Sequence, residues 1–315
     1  MTLEEIISNA IGHHATDVHL EHTGKSLHVY QRKYGTLHKV VDLPSETNLI
    51  NRIKMRANLD LSETRRTQEG QFLFEERNCR TFIRVSIIST VKGEKIALRL
   101  LPDKNRLSLN EIGIQPNLLS ALSSALGHSS GLILVCGATG AGKSTTLYSC
   151  LDILNTGERT IFTIEDPVEY EVQGLFQCEP NPAIGLDSAA LLKSFLRQDP
   201  DVIMVGEVRD AITANLAVNA ALTGHLVLAT LHTNSALDAM HRCHGWQVDF
   251  FSLASSLKLI IHQSMLYNSS SQRPIFHGIS PLWEASLPKD YDALISSPSL
   301  WTAYSHNSEA NYAMV

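Results

Sequence analysis

The sequence predicts an α/β protein in two parts. A small α+β domain occupies residues 1–103, and a domain with a mainly parallel sheet and a C-terminal helical region occupies 104–315. Three observations predict this. Short strand-like runs fill much of the first hundred residues. After Leu132, apolar strand-like runs alternate with helical segments. Between one such run, Leu132-Ile133-Leu134-Val135, and a helix-compatible segment, Thr145 to Leu154, lies Gly137-Ala138-Thr139-Gly140-Ala141-Gly142-Lys143-Ser144. Alternating strands and helices imply a parallel sheet covered by helices.

In the first part, Leu3, Ile6, Ile7, Ala10 and Ile11 recur at helical spacing. Asp17–Leu20 and Leu27–Tyr30 alternate like strands, and Lys33-Tyr34-Gly35-Thr36 reads as a hairpin turn into Leu37–Val41. A helix is expected from Pro44-Ser45 to about Ala57, with Ser45 as its cap. Gln71–Phe74, Thr81–Ile88 and Lys95–Leu101 read as further strands, and Pro102-Asp103-Lys104-Asn105 as the linker.

In the second part, strands are expected at Thr160–Ile164, Val202–Val205 and His225–Thr230, and helices at Leu186–Leu196 and Ile212–Leu222. Ligands of such sheets sit at the carboxyl ends of the strands. The glycine-rich turn, Glu165-Asp166, Gly206-Glu207 and Leu231-His232 each follow a strand directly, so four polar clusters converge on one edge.

Strand, glycine-rich turn and helix form the context of a P-loop, in which backbone N–H groups and a helix N-terminus face phosphate oxygens. Gly137, Thr139, Gly140, Ala141 and Gly142 form the loop, with Thr145 next along the helix. Lys143 would reach the β- and γ-phosphates of a nucleotide such as ATP, and Ser144 would give an oxygen to Mg²⁺. Glu207, after a wholly apolar strand, would hold the Mg²⁺ shell or order the attacking water; a helix N-terminal acid explains one carboxylate but not the combination. Glu165 or Asp166 would orient or deprotonate that water. His225 and His232 would sense the γ-phosphate, although a lone histidine near a strand end is more often structural. Charge building on the phosphoryl group also calls for an arginine. Near the P-loop the only cation expected is Lys143, which leaves Arg84 and Arg99 in the first domain as candidates, supplied across a subunit boundary, or else as surface strand arginines.

Composition excludes several classes. The N-terminus lacks a basic start and an apolar core, so no secretory leader is expected. No run approaches the ~18 apolar residues of a membrane span. The five cysteines form no CxxC pair, which favours buried free thiols in a reducing, cytosolic compartment. Net charge is −6, but residues 51–106 carry +6 and residues 107–315 carry −10. The basic stretch is open to three readings: nucleic-acid binding, a shared anionic ligand, or a solvated face.

Three strings then carry a specific likeness: Ile164-Glu165-Asp166-Pro167-Val168-Glu169-Tyr170, Arg197 through Asp210 with Val205-Gly206-Glu207-Val208-Arg209-Asp210, and Ala221 through Asn234 with Thr223-Gly224-His225 and Leu231-His232-Thr233. Together with Ala15-Thr16-Asp17-Val18-His19-Leu20-Glu21 and Arg84 through Arg99, the chain from about Ala15 to Leu259 resembles the type II secretion and type IV pilus ATPase family. The resemblance implies a PAS-like first domain, a RecA-like ATPase domain and a homo-hexameric ring that binds ATP and Mg²⁺. It implies that Glu165 is the water-activating base, with Asp166 beside it in the Asp box, and that Glu207 is the Walker B acid, their roles open to sharing. His225 and His232 become the His box, and Arg84 and Arg99 the sensing arginines. The implied work is pilus or pseudopilus assembly against an inner-membrane platform protein. Such a protein is cytoplasmic, peripheral to the inner membrane face through its partners, and makes no direct nucleic-acid contact. A retraction ATPase, or a weakly active nucleotide-binding ring subunit with a regulatory role, are the alternatives. The chain departs from the family pattern at Tyr34, at Asn215 and at His262-Gln263-Ser264-Met265, and a compact form is expected, without the four-cysteine zinc module or the long extra N-terminal domain of many assembly ATPases.

Overall fold

The chain alternates elements in two distinct ways, and each gives its own sheet. In a computed structural model, residues 1–44, 48–76, 79–102, 107–267, 272–283 and 287–305 are described. The elements are α1 (Leu3–Gly12), β1 (Asp17–His22), β2 (Ser26–Lys33), β3 (Thr36–Pro44), α2 (Leu49–Arg56), β4 (Gln68–Glu76), β5 (Cys79–Thr90), β6 (Gly93–Pro102), α3 (Pro116–Leu126), β7 (Gly131–Cys136) and α4 (Lys143–Leu154). There follow β8 (Ile161–Ile164), β9 (Leu175–Cys178), α5 (Ser188–Phe195), β10 (Val202–Val205), α6 (Ala211–Leu222), β11 (Leu226–Leu231), α7 (Ala236–Gly245), α8 (Phe250–Ser256), β12 (Leu257–Tyr267), β13 (Gln272–Pro281), α9 (Tyr291–Ser296) and β14 (Trp301–Tyr304). The chain divides into two units, 1–105 with 267–272, and 106–266 with 273–315.

In the first unit six strands run in the order β3-β2-β1-β6-β5-β4, each described pair antiparallel. Period-2 alternation sends Val18, Leu20, Leu27, Val29, Ile83, Val85, Ile87, Ile96 and Leu98 into one core with Leu3, Ile6 and Ile7 of α1 and Leu49 and Ile53 of α2. Thr2 closes α1 with a reciprocal capping box to Glu5. On the other face, register aligns Arg32 with Asp17, Asp17 with Arg99, and Arg99 with Arg84. Two arginines directly opposite each other are mutually repulsive. Asp17 offsets this by accepting from Arg99 Nε at 3.0 Å.

The second unit has the sheet order β14-β13-β12-β7-β11-β10-β8-β9. The pairs from β12 through β9 are parallel, and β13 with β14 is antiparallel. β7, β10 and β11 are buried along their whole length, as strands covered on both faces must be. One face packs against α5–α8, the other against α3 and α4.

Three expectations are corrected. The helix expected from Pro44 starts at Leu49, because β3 runs through Pro44. β3 is an edge strand, where a residue without an N–H leaves no ladder bond unmade; Ser45, the expected cap, lies outside the described residues, as does most of the expected linker. The strand expected at His225–Thr230 is Leu226–Leu231, a one-residue shift. The C-terminal region is not mainly helical: after α8, the chain forms β12 and β13, then the short α9 and β14. β9 had no strand signal strong enough to read, being four residues at a sheet edge.

The first core contains a buried ion pair. Lys54 has 0% of its side chain exposed, lies 2.7 Å from Glu94 Oε1 and donates to Glu63 O at 2.7 Å. The contact with Glu94 is an ion pair without hydrogen-bond alignment, since that oxygen has no hydrogen-bond partner. Lys54→Ala strands Glu94 as an uncompensated buried carboxylate, so urea unfolding should show a loss of about 3–5 kcal/mol. A Lys54→Met, Glu94→Gln double substitution should recover most of it.

Candidate active site

β7 ends at Cys136, and Gly137 starts a loop whose backbone lies where only glycine sits easily: Gly137 at φ 146°, Gly140 at φ 80° and Gly142 at φ 87°. Gly137 N–H donates to Leu231 O at 3.2 Å, tying the loop to the end of β11. α4 opens at Lys143. Thr139, Gly140, Ser144 and Thr145 are exposed, while Ala141 and Lys143 are buried. Lys143 Nζ donates to Gly137 O at 2.7 Å and Ala138 O at 2.9 Å. Burial pulls its ammonium below the usual lysine range, against the charge of Glu207, which works the other way.

Gln263 of β12 braces this loop. An added Cβ at Gly137 would lie 2.0 Å from Gln263 O, and one at Gly142 would lie 2.8 Å from its Nε2. Thr146 Oγ1, one turn into α4, donates to Gln263 Oε1 at 2.8 Å. The sequence analysis named Gln263 only within His262-Gln263-Ser264-Met265, as a departure from the family pattern, and gave it no role at the loop.

The acids follow the neighbouring strands. Glu165, after β8, is 5% exposed. Its Oε1 accepts from Thr163 Oγ1 at 2.6 Å and Gln177 Nε2 at 3.1 Å, and its Oε2 from the Tyr148 hydroxyl. Gln177 also reaches Tyr170 O at 3.0 Å, and Tyr148 stacks on Tyr170 with centroids 4.4 Å apart. Glu165 is therefore a carboxylate fixed by donors from α4, β8 and β9, and Tyr148 and Gln177 are site neighbours that sequence reasoning missed.

Gly206, after β10, donates to Ile164 O at 2.7 Å, and a Cβ there would meet that oxygen at 2.8 Å. Glu207 comes next. His232, after β11, places Nε2 3.2 Å from Glu207 Oε1, and Arg209 places Nη2 2.8 Å from Oε2. Partial burial works to raise the Glu207 pKa, but the Arg209 hydrogen bond and the charges of Arg209, His232 and Lys143 outweigh it, leaving it below the usual carboxylate range. Burial first, then Lys143, lowers the His232 pKa despite the pull of Glu207. Asp166 is exposed and accepts from Arg209 Nη1 at 3.0 Å. Arg209 corrects the view that the P-loop lysine is the only nearby cation; its signal was its place two residues after Glu207.

Lys143, Glu165, Asp166, Glu207 and His232 thus meet at the carboxyl edge of the second sheet. His225 does not. It precedes β11, its carbonyl accepts from Gly131 N at 3.1 Å where β7 begins, and its Nδ1 lies 2.9 Å from Ala220 O. Six strand residues separate it from His232, roughly 20 Å at strand rise, so His225 belongs to the opposite edge of its own sheet. Arg84 and Arg99 lie on β5 and β6 of the first unit, Arg99 held by Asp17.

The glycines provide a direct check. Gly137→Ala both strains the backbone and drives a Cβ into a carbonyl, so it should lower stability by about 3 kcal/mol or more in urea unfolding. Gly140→Ala, with nothing within 4 Å of the added carbon, should cost only about 1–2 kcal/mol, from its left-handed backbone.

Comparison with known proteins places this geometry. The family model described as "Type II/IV secretion system protein" matches residues 1–285. The chain is 41% identical over 279 residues to the type IV pilus assembly ATPase PilB of Acinetobacter baylyi, an alignment covering 87% of this chain and 48% of that protein. It is 41% identical over 268 residues to the type II secretion system protein E of Dickeya dadantii, covering 84% and 54%. The chain spans about half the length of these curated relatives. Among solved structures it is similar to the pilus retraction motor PilT with bound ADP, with a TM-score of 0.69 and 32% identity over 88% of this chain and 82% of that one. It shares a fold with the ATPase DotB of Legionella pneumophila, with a TM-score of 0.71 and 23% identity over 89% of this chain and 81% of that one. The family match and these identities put the chain in the type II secretion and type IV pilus ATPase family.

Proposed function

We propose that this chain is a motor ATPase that hydrolyses ATP to drive assembly of a pilus or pseudopilus. The observation that carries the reading is the meeting of Lys143, Glu207 and His232 at the strand edge behind a P-loop, in a chain of this family. The glycine backbone and the start of α4 suit the phosphates of ATP, with Lys143 as their counter-charge. Ser144 and Glu207 would hold Mg²⁺, which when bound neutralises phosphate charge. Among the described residues no three acids, histidines or cysteines are grouped to hold a metal alone, which fits an ion that takes one or two protein ligands and shares the phosphates.

In this reading Glu165, fixed by Tyr148, Thr163 and Gln177, orients and accepts a proton from the attacking water, and Glu207 serves the metal side. His232, bonded to Glu207, registers the state of the γ-phosphate. Arg84 and Arg99 face phosphates bound by a second copy in a homo-hexamer. Residues 1–103 form a PAS-like domain and residues 104–315 a RecA-like domain with a mainly parallel sheet. The ring works at the cytoplasmic face of the inner membrane, on a platform protein. No described helix is long and apolar enough to cross a membrane; in this reading attachment is peripheral, through partners. Retraction is the second reading, favoured by the likeness to PilT; the assembly reading rests on the higher identity to PilB. A weakly active regulatory ring subunit is the third.

Steady-state turnover of the purified protein tests the motor reading. Lys143→Ala and Glu207→Gln should each lower kcat by about 10²-fold or more, as loss of a preorganised charge at a reacting centre does. Wild-type turnover no higher than theirs, under ring-forming conditions, sinks the motor in favour of the regulatory subunit. Mixing Arg84→Ala with Lys143→Ala subunits should restore partial turnover; no recovery in any ratio argues against a shared site. Expression in strains lacking either the assembly or the retraction ATPase separates the two directions of work, because only the matching strain regains its pilus phenotype.

A further inference from the structure

A small cavity of about 60 Å³ opens beside Glu207, at the carboxyl ends of β8 and β10. Four carboxylates line it, those of Glu165, Asp166, Glu207 and Asp210, with a single cation, Arg209. Two of the acids are committed elsewhere. Glu165 is taken by Tyr148, Thr163 and Gln177, and Asp210 caps α6 by accepting from Thr213 N at 2.7 Å. Asp166 and Glu207 remain, and the Arg209 guanidinium spans both, Nη1 to Asp166 at 3.0 Å and Nη2 to Glu207 at 2.8 Å.

Three physical points follow. Without the guanidinium, two neighbouring carboxylates repel and Glu207 is held by His232 on one oxygen only. The span needs a planar fork with two separated N–H groups, which an ammonium does not offer. And the pair is not there for stability: the Arg209 side chain is 59% exposed, and ion pairs so open to water contribute little to folding. The backbone under Arg209 is firm, however. Val208 N–H donates to Thr230 O at 2.9 Å, and Thr230 Oγ1 donates to Gly206 O, so the turn carrying Glu207 and Arg209 is stitched to β11.

We propose that Arg209 is a positioning residue for ATP hydrolysis. It ties the loop after β8 to the loop after β10 through Asp166 and Glu207, and so holds the Glu207 carboxylate toward His232 and Lys143. The inference rests on the hydrolytic reading above and adds to it a cation supplied by the same chain, with a role apart from phosphate binding.

The test uses the full chain and four variants: Arg209→Gln, Arg209→Lys, Asp166→Asn and the Arg209→Gln, Asp166→Asn double. Turnover, KM for ATP, affinity for a fluorescent ATP analogue and melting temperature are measured for each. Arg209→Gln should lower kcat by about 10- to 100-fold, the scale of a displaced catalytic group, with KM and analogue affinity within about twofold of wild type and melting nearly unchanged. Arg209→Lys should not restore turnover. The double should be no slower than Arg209→Gln alone, because both substitutions break the same bridge. The inference is overturned by wild-type kcat in Arg209→Gln, by full rescue with lysine, by multiplicative losses in the double, or by a fall in kcat matched by falls in melting temperature and analogue affinity. Absence of turnover in the unsubstituted chain overturns the hydrolytic reading itself, and this inference with it. Turnover there with an indifferent Arg209→Gln overturns this inference alone.

Discussion

The parallel register of four central strands is the constraint on which the site depends. Leu134, Ala229, Val205 and Ile164 lie in one cross-strand row. β8 and β10 stop there, while β7 and β11 continue for two more residues. Glu165 and Gly206 therefore leave the sheet two steps below Gly137 and His232. Glu207, one residue further on, rises to meet His232, and the P-loop folds over the same ground. β10 is apolar throughout and β11 apart from Thr230, whose hydroxyl bonds Gly206 O, so both strands stay in the sheet up to the point where Glu207 and His232 emerge.

Much of this was legible in the sequence because it is local. Glycines before Lys143, an apolar quartet before Glu207 and an alternating first domain each declare themselves within about ten residues. What was not legible depends on partners far apart in the chain. Arg209 is visible in the sequence, but its bridge to Asp166, 43 residues away, exists only once β8 and β10 pair. Tyr148 looks like one more apolar residue of an amphipathic helix until β9 brings Gln177 beside it. His225 opened its expected strand, at the opposite end from His232; the two were grouped by residue type and by the resemblance, and a strand's length separates them. The end of the chain was expected to be helical although its pattern from Leu287 on is only weakly periodic, and β12 itself mixes Lys258, His262, Gln263 and Ser264 among apolar residues.

The two units also differ in how they keep charge. In the first, Lys54 lies inside the core with Glu94, while Arg84 and Arg99 stand unlike their surroundings on an open sheet face. In the second, charge gathers at the ends of strands and is neutralised pairwise, Glu207 by Arg209 and His232, Asp166 by Arg209. The net acidity of the second region is thus not spread evenly; part of it is concentrated where a nucleotide's cations would be wanted.

The brace by Gln263 has a mechanical consequence. Its main-chain oxygen lies so near Gly137, and its amide so near Gly142 and Thr146, that the phosphate loop has no slack against β12. β12 is in turn the neighbour of β13, and β13 of β14. Through Gln263 the outer strands and the glycine turn are joined by one unbroken run of contacts, strand to strand and then side chain to loop.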